Sequence, residues 1–407
     1  MNRKVFYWLT LEPWVHGVVK NNNVLVYNTL NKKHLVYRDV REIADIMQQL
    51  LNPNNGYVTK LKEIELNSPV IRKFIDQLRK KFMGDILESQ WSKPKPFNLM
   101  HEPVIKSQKL PNLENNLREI TFHVNTSDGE ELIHYKKAFY QFLFPFYAIG
   151  PVRRLSQETV RSVYDQIISL RLATINFVGS WIFKEPSFGS IRGIFKESPY
   201  RRKFHVIYSQ FELEDLSLGK NDSLCIYITF PVNRSHLENL IRYGRQTYKT
   251  GTIEYNFVVQ NIEEVSNANE IIAQTALQNY FFKPYFNGEN MHFFEDHVFI
   301  SEEDVKLSRP GQHQVFSRLS MNENDYGKLT ILPGGMVYAN VNERSLGNLK
   351  HTNVVALIQK EITMGKSWSR IRPAVHPCSQ CIYQFLCPPV SNYEVVLKRF
   401  NFCHIYP

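Results

Sequence analysis

The chain reads as an α/β protein in three parts, on three observations: strand-like and helix-like runs alternate through its middle, a basic strand-and-helix unit precedes them, and four cysteines crowd its last thirty residues. At 407 residues it exceeds what one core usually spans, so more than one domain is expected. No run reaches the roughly 18 unbroken apolar residues of a membrane helix. The opening "MNRKVFYWLTLEPWVHG" meets Glu12 and Pro13 before any signal-peptide apolar core develops. Five cysteines, an odd number, do not form a secreted disulfide framework. A cytoplasmic protein without a membrane partner is expected.

Residues 1–92 form the first part. "VHGVVK", "NNNVLVYNT" and "KKHLVYRD" read as three strands separated by Asn and Lys turns. A helix is expected to open at Asp39, with Glu42 at capping-box spacing and Val40, Ile43, Met47, Leu50 and Leu51 on one face. A second opens at Ser68 with Pro69 in its first position and buries Val70, Ile71, Phe74, Ile75, Leu78 and Phe82. This is a winged-helix-like α+β module. Residues 1–100 carry sixteen Lys and Arg against nine Asp and Glu, most of the net charge of +10, which draws an anionic partner. Pro94, Pro96, Pro103 and Pro111 then break any helix, so 93–112 is read as a linker.

Between 113 and 305 come "REITFHVNT", "ELIHYKKAFYQFLF", "SQETVRSVYDQIISLR", "ATINFVGSW", "KFHVIYSQF", "SLCIYITFP", "RSHLENLIRYGRQT", "IEYNFVVQN" and "EIIAQTALQNY". That alternation predicts a parallel sheet covered by helices, with "ATINFV" and "LCIYITF" buried on both faces. Periodicity leaves open whether the sheet is flat or a partial barrel. In the last part, 306–407, "GKLTILPGGMVYANV" is a hairpin turning at Pro333-Gly334-Gly335, and "NVVALIQKEITMG" is a helix.

Cys378, Cys381 and Cys387 follow a C-x2-C-x5-C spacing, and Cys403 lies fifteen intervening residues on. Four thiolates complete either tetrahedral zinc or a four-iron cluster, and ligand type alone does not choose between them. Pro388-Pro389 after the third cysteine is weakly ferredoxin-like. His351, His376 and His404 are nearby alternative ligands. Cys225, inside "SLCIYITF", reads as a small hydrophobe. No H-E-x-x-H, G-x-S-x-G, Walker or Rossmann pattern occurs.

"CSQCIYQFLC" with the later Cys403 resembles the end of the SPASM domain that follows the barrel in many peptide-modifying radical SAM enzymes. The resemblance implies one auxiliary 4Fe-4S cluster on Cys378, Cys381, Cys387 and Cys403. A second auxiliary cluster of that family has lost its ligands, since its positions fall on Asn340 and Ser391. No cysteine precedes Cys225, so the C-x3-C-x2-C loop that binds the S-adenosylmethionine-cleaving cluster is missing. "NFVGSWIFKEP" stands where the family has a Gly-Gly-Glu-Pro-like segment. The implied fold is therefore a degenerate partial (β/α) barrel of radical SAM type with a SPASM-like tail, binding no S-adenosylmethionine. The chain resembles the pseudo-radical-SAM/SPASM proteins of Gly-Gly-leader peptide systems of the Bacteroidales, most specifically in "CPPVSNYE". Such a protein is a non-catalytic partner whose own partners are a precursor peptide and a catalytic radical SAM/SPASM enzyme.

The N-terminal module is similar to the peptide-recognition element of those systems, which takes a leader peptide as an added strand. An extended peptide would pair with "HLVYR", touching Leu35, Tyr37 and Arg38, while Arg72, Lys73, Arg79, Lys80 and Lys81 attract an acidic leader. Nucleic-acid binding is the weaker reading, because "SPVIRKFIDQ" leads with apolar residues where a recognition helix reads bases. The rival functions are a single-cluster electron-transfer protein and a zinc-stabilised nucleic-acid-binding regulator.

Overall fold

The computed structural model describes residues 6–88, 116–126, 130–146, 153–210, 212, 218–248 and 252–405, and the expected linker lies outside them. The protein is mixed α/β, with one large, mostly parallel sheet and two small antiparallel ones.

The small sheets form the N-terminal part. β1 (Phe6–Leu11) lies between β5 (Val58–Lys62) and β6 (Gly84–Glu88), and β3 (Asn23–Asn28) lies between β2 (Val15–Lys20) and β4 (His34–Tyr37). The second sheet matches the three strands read from the sequence. The first was missed, because "VTKLK" and "GDILE" are short and half charged. Helices α1 (Arg41–Leu50), α2 (Glu63–Leu66) and α3 (Pro69–Lys80) complete the unit. α3 opens as expected, with the Ser68 hydroxyl accepting from the Ile71 amide and Pro69 in the first turn.

Three expectations here are corrected. α1 begins at Arg41 with Val40 as its cap and no side-chain capping bond. Asp39 instead sits in the left-handed region at φ 52°, its N–H donating to Asn23 Oδ1 at 3.1 Å, while Glu42 accepts from Ser68 Oγ at 2.7 Å. Val70 and Phe82 are exposed, Val70 in the first turn of α3 and Phe82 beyond its end at φ 54°.

β3 is buried on both faces. Val24 and Val26 join Ile43, Met47, Phe74 and Leu78 in the core of the N-terminal unit. Leu25 and Tyr27 point the other way, against Val305, Val315, Ile382, Tyr383, Phe385 and Leu386. The Tyr27 hydroxyl donates to the Pro310 carbonyl at 2.8 Å. Apolar residues on both faces are what let one strand join two cores.

The large sheet carries six parallel strands side by side in chain order: β7 (Glu119–His123), β8 (Thr174–Val178), β9 (Arg201–Ile207), β10 (Asp222–Ile228), β11 (Ile253–Val259) and β12 (Tyr280–Pro284). β13 (Lys328–Ile331) pairs parallel to β7, and β14 (Met336–Tyr338) and β15 (Gly347–Asn348) extend it antiparallel. The expected hairpin is thus the flank of the same sheet, which runs unbroken across residue 305. Its turn uses Gly334 and Gly335 at φ 94° and 86°. The sheet is open, with β12 and β15 at its edges.

The covering helices are α4 (Ala138–Gln141), α5 (Gln157–Ile167), α6 (Phe188–Ile194), α7 (Arg234–Thr247) and α8 (Ile262–Thr275). Ser156, Asn233 and Asn261 cap α5, α7 and α8 with side-chain oxygens. The stretch "ELIHYKKAFYQFLF", read as one helix, is a 3-10 segment over Glu130–Tyr135 and the single turn of α4. Tyr135, Phe144 and Phe146 are all driven into the core, which one helical stripe could not achieve. α9 (Met291–His297), α10 (Glu302–Leu307), α11 (Gln312–Ser320), α12 (Val354–Met364) and α13 (Asn392–Leu397) follow. No helix among the described residues is long and apolar enough to cross a membrane.

Leu25→Ala should lower stability by about 2–5 kcal/mol, as large-to-small core changes do, read as a drop in the thermal midpoint. Ile64→Ala, at a side chain 76% exposed, should change it by no more than about 0.5 kcal/mol.

Candidate metal centre

The four tail cysteines, spread over 26 positions of sequence, line one pocket together with Ile300, Arg372, Gln384, Glu394 and Phe402. Each is delivered by a different local device. Cys378 opens a 3-10 turn, and Gln384 holds that turn by donating to the carbonyls of Cys378 and Ser379 at 3.0 and 2.8 Å. The Cys381 sulfur accepts from the Tyr383 amide at 3.4 Å. Cys387 closes the segment that packs against Leu25 and Tyr27. Cys403 is pinned by a bridge to Ile300, with Ile300 N–H donating to Phe402 O at 3.1 Å and His404 N–H to Ile300 O at 3.0 Å.

Burial pushes the thiols of Cys378, Cys381 and Cys387 above their ordinary range, and the Arg372 guanidinium pulls all three back. The Cys378 thiol donates to the Phe400 carbonyl at 2.9 Å, and Arg372 Nη1 lies 3.6 Å from its sulfur. Arg372 is itself buried and forms a forked pair with Glu394, at 2.5 and 3.1 Å. A second cation, Arg318, donates to the Leu386 carbonyl at 2.6 Å beside Cys387.

Among the described residues no three His, Cys, Asp or Glu side chains converge as ligands of a single ion. The thiols surround a space. Soft donors, a shared cavity and an adjacent cation are the chemistry that a thiolate centre uses, and Cys378, Cys381, Cys387 and Cys403 are the residues that could hold one. The alternative ligands do not enter the pocket: His351 and His376 are exposed, and the His404 ring contacts the Glu295 carbonyl at 2.8 Å. Cys225 is 2% exposed in β10, its thiol pushed up to about 12 by burial.

The residues read as peptide-binding scatter over several roles. Leu35 is buried in the N-terminal core. Tyr37 packs edge-on to Phe74 and donates to Gln77. Arg38 is ion-paired to Glu302 of α10, and Arg79 to Asp85 at 2.9 Å. Arg72, Lys73 and Lys80 are exposed on α3. Lys81 donates to the His34 carbonyl at 2.9 Å. Because Lys33 O faces β3, accepting from Asn28, the ladder's alternation turns the main-chain groups of His34 and Val36 toward the free edge of β4.

The sequence reading missed a polar face on the large sheet. The runs expected to be buried on both faces are so buried, but their second face mixes polar side chains with apolar ones such as Cys225 and Tyr227. Ile120, Phe122, Ile175, Phe177, Phe204, Leu224, Ile226 and Phe257 join the main core. The alternate positions carry Glu119, Thr121, His123, Asn176, Lys203, His205, Tyr227, Glu254 and Asn256. Asn176 donates to Glu119 at 2.7 Å, and His205 bridges Asn176 at 3.0 Å and Tyr227 at 3.3 Å. Burial lowers His205 to about 3, so its imidazole is neutral. Glu119, Thr121 and His123 line a pocket with Asp325, Asn340 and Asn392. Period-two polarity in "EITFH" and "FHVI" was the available signal.

No family model and no curated protein matches this chain. Among solved structures, Streptococcus suis SuiB bound to precursor peptide SuiA is similar at 11% identity and TM-score 0.48, over 98% of this chain and 100% of that one. Streptococcus suis SuiB bound to S-adenosylmethionine is similar at 10% identity and TM-score 0.43, over 96% of each. Likeness of that degree decides neither fold nor function, and the thiol pocket stands on its own geometry.

Asp325 supplies a pH test. Burial raises it to about 6, against the hydrogen bonds from Asn340. The folded chain then holds a proton that the unfolded chain releases near 4, so this group's stabilisation is full below pH 4 and is lost as pH rises toward 6. Urea titrations between pH 4 and 7 should show a shallower decline for Asp325→Asn than for the wild type.

Proposed function

We propose that this chain is a non-catalytic, pseudo-radical-SAM partner in the maturation of a ribosomally synthesised peptide. In this reading Cys378, Cys381, Cys387 and Cys403 hold one 4Fe-4S cluster, the N-terminal module takes the precursor's leader, and a catalytic radical SAM/SPASM enzyme supplies the chemistry. The observation that carries it is the gathering of four thiols around one pocket while the fifth cysteine, Cys225, lies inside a strand. A cluster that cleaves S-adenosylmethionine needs three thiolates at the head of the large sheet, and the chain has no cysteine left to provide them. The cluster, when bound, supplies electron transfer or a covalent staple for the tail. The chain's own part is to bind the leader and orient it.

Leader docking is supported by the free edge of β4 and by the exposed cations on α3 beside it. The usable edge is short, since Lys81 already covers the His34 carbonyl.

Anaerobic purification with iron, sulfide and zinc analysis tests the metal reading: about four irons and four sulfides per chain are expected. One zinc with no sulfide would replace it with the zinc-stabilised reading. Cys403→Ser should lower metal content and thermal stability together, because metal binding is part of the folding free energy. Wild-type values of both would remove Cys403 from the ligand set. For the leader, Val36→Pro takes away an outward N–H of β4 and should weaken capture of a precursor encoded beside this chain's gene by about tenfold or more, measured by calorimetry. Capture at wild-type strength would move the docking site off this edge.

A further inference from the structure

A single guanidinium joins the stretches of chain that bring three of the four cysteines to the pocket. Arg372 Nε donates to the Pro388 carbonyl at 2.9 Å, directly after Cys387. Its Nη2 reaches the Pro389 carbonyl at 3.3 Å. Its Nη1 donates to the Phe400 carbonyl at 2.8 Å, three residues before Cys403, and faces the Cys378 sulfur at 3.6 Å. The fork is closed by Glu394, which is 1% exposed and is fixed in turn by the Ser391 amide at 2.9 Å and hydroxyl at 3.0 Å. Stability alone is a weak reason for such a pair, since buried ion pairs return little more than their desolvation cost.

Charge supplies a stronger one. Four thiolates around Zn²⁺, or around a four-iron core of charge +2, leave a buried centre of net charge −2 that the protein must offset. Arg372 is the cation that lines the pocket, with Glu394 as its counter-ion, and Arg318 lies behind it on the Leu386 carbonyl beside Cys387. Arg318 keeps a buried Nε with no hydrogen-bond partner, on a side chain otherwise tied to the carbonyl next to Cys387.

We propose that Arg372, set by Glu394, is a positioning residue for the metal centre: it gathers the segments bearing Cys378, Cys387 and Cys403 before metal arrives and offsets the thiolate charge afterwards. This rests on the four-thiol reading above. Glu394 lies one turn along from Ser391, so the capping box that starts α13 also presents the carboxylate to Arg372. Helix start and thiol placement are one device.

The test compares wild type, Arg372→Met, Arg372→Lys and Glu394→Gln, each reconstituted anaerobically with iron and sulfide or with zinc and then challenged with a graded chelator. Arg372→Met should lose metal at a chelator concentration about tenfold or more below wild type, the size of effect seen when partners of metal ligands are removed. Arg372→Lys keeps the charge without the fork and should fall between. In iron-loaded protein, the midpoint potential should move negative in Arg372→Met and stay near wild type in Arg372→Lys. It should move positive in Glu394→Gln, where the guanidinium loses its counter-charge. A residue that merely clips loops together would shift thermal stability in these variants without that ordered change in potential. Wild-type chelator resistance in both Arg372→Met and Glu394→Gln overturns the proposal. If Arg372→Met does not fold, unchanged resistance and potential in Glu394→Gln overturn it alone. Wild-type protein that takes up no metal overturns the four-thiol reading, and this inference with it.

Discussion

Four thiols, two buried and two half-buried, share one pocket in the tail of this protein, and the rest of the tail is arranged around them. Removing a thiolate from water favours its neutral form, so a thiolate centre forms only where a metal or a fixed cation restores the lost solvation. Residues 372–405 have few elements with which to do this: two 3-10 turns, the six-residue α13 and a bridge to Ile300. Loops so short have no core of their own. They are held by polar contacts at Arg372, Gln384 and Glu394 and by apolar contacts with other parts of the chain.

Those apolar contacts come from the N-terminal unit on one side and from α9, α10 and α11 on the other. Leu25 and Tyr27 on β3 pack on Ile382, Tyr383, Phe385 and Leu386, the segment between Cys381 and Cys387. A polar chain runs alongside: Arg38 at the end of β4 pairs with Glu302, and Glu302 accepts from the Tyr383 hydroxyl at 2.8 Å. Tyr383 in turn donates its amide to the Cys381 sulfur. The unit proposed to receive a peptide and the pocket proposed to hold a metal therefore share one core and one chain of hydrogen bonds.

The large sheet shows a different economy of burial. Its helix-covered face is apolar, while the opposite face carries Asn176, His205, Tyr227 and Asn256 in partly closed networks. Polar groups in such a place must be hydrogen-bonded or solvated. Phe142, stacked near Tyr227 at 6.3 Å between ring centres, and Tyr393 of α13 close part of that face from the tail side. The sheet and the tail thus meet over polar side chains, with Asp325 and Asn340 among them.

Much of this was legible in the residues themselves. Ser68-Pro69 marked a helix start, Gly334-Gly335 a hairpin, and alternating runs a parallel sheet, because capping, positive φ and side-chain period are local properties. The thiol spacing likewise identified a candidate ligand set before any folding was considered. What sequence did not carry was partnership. It showed Arg38 and Arg79 as free charge, whereas the fold spends them on Glu302 and Asp85, residues distant in the chain or on another element. It showed "NNNVLVYNT" as a strand without saying that its second face would meet the tail. Arg372 and Glu394 gave no signal in the sequence. Local rules act within a few residues, so the sequence by itself determined the elements and the donor atoms. Only tertiary structure decided which charges meet, which faces are covered, and that one guanidinium stands among the thiols, because those outcomes depend on segments brought together across the whole chain.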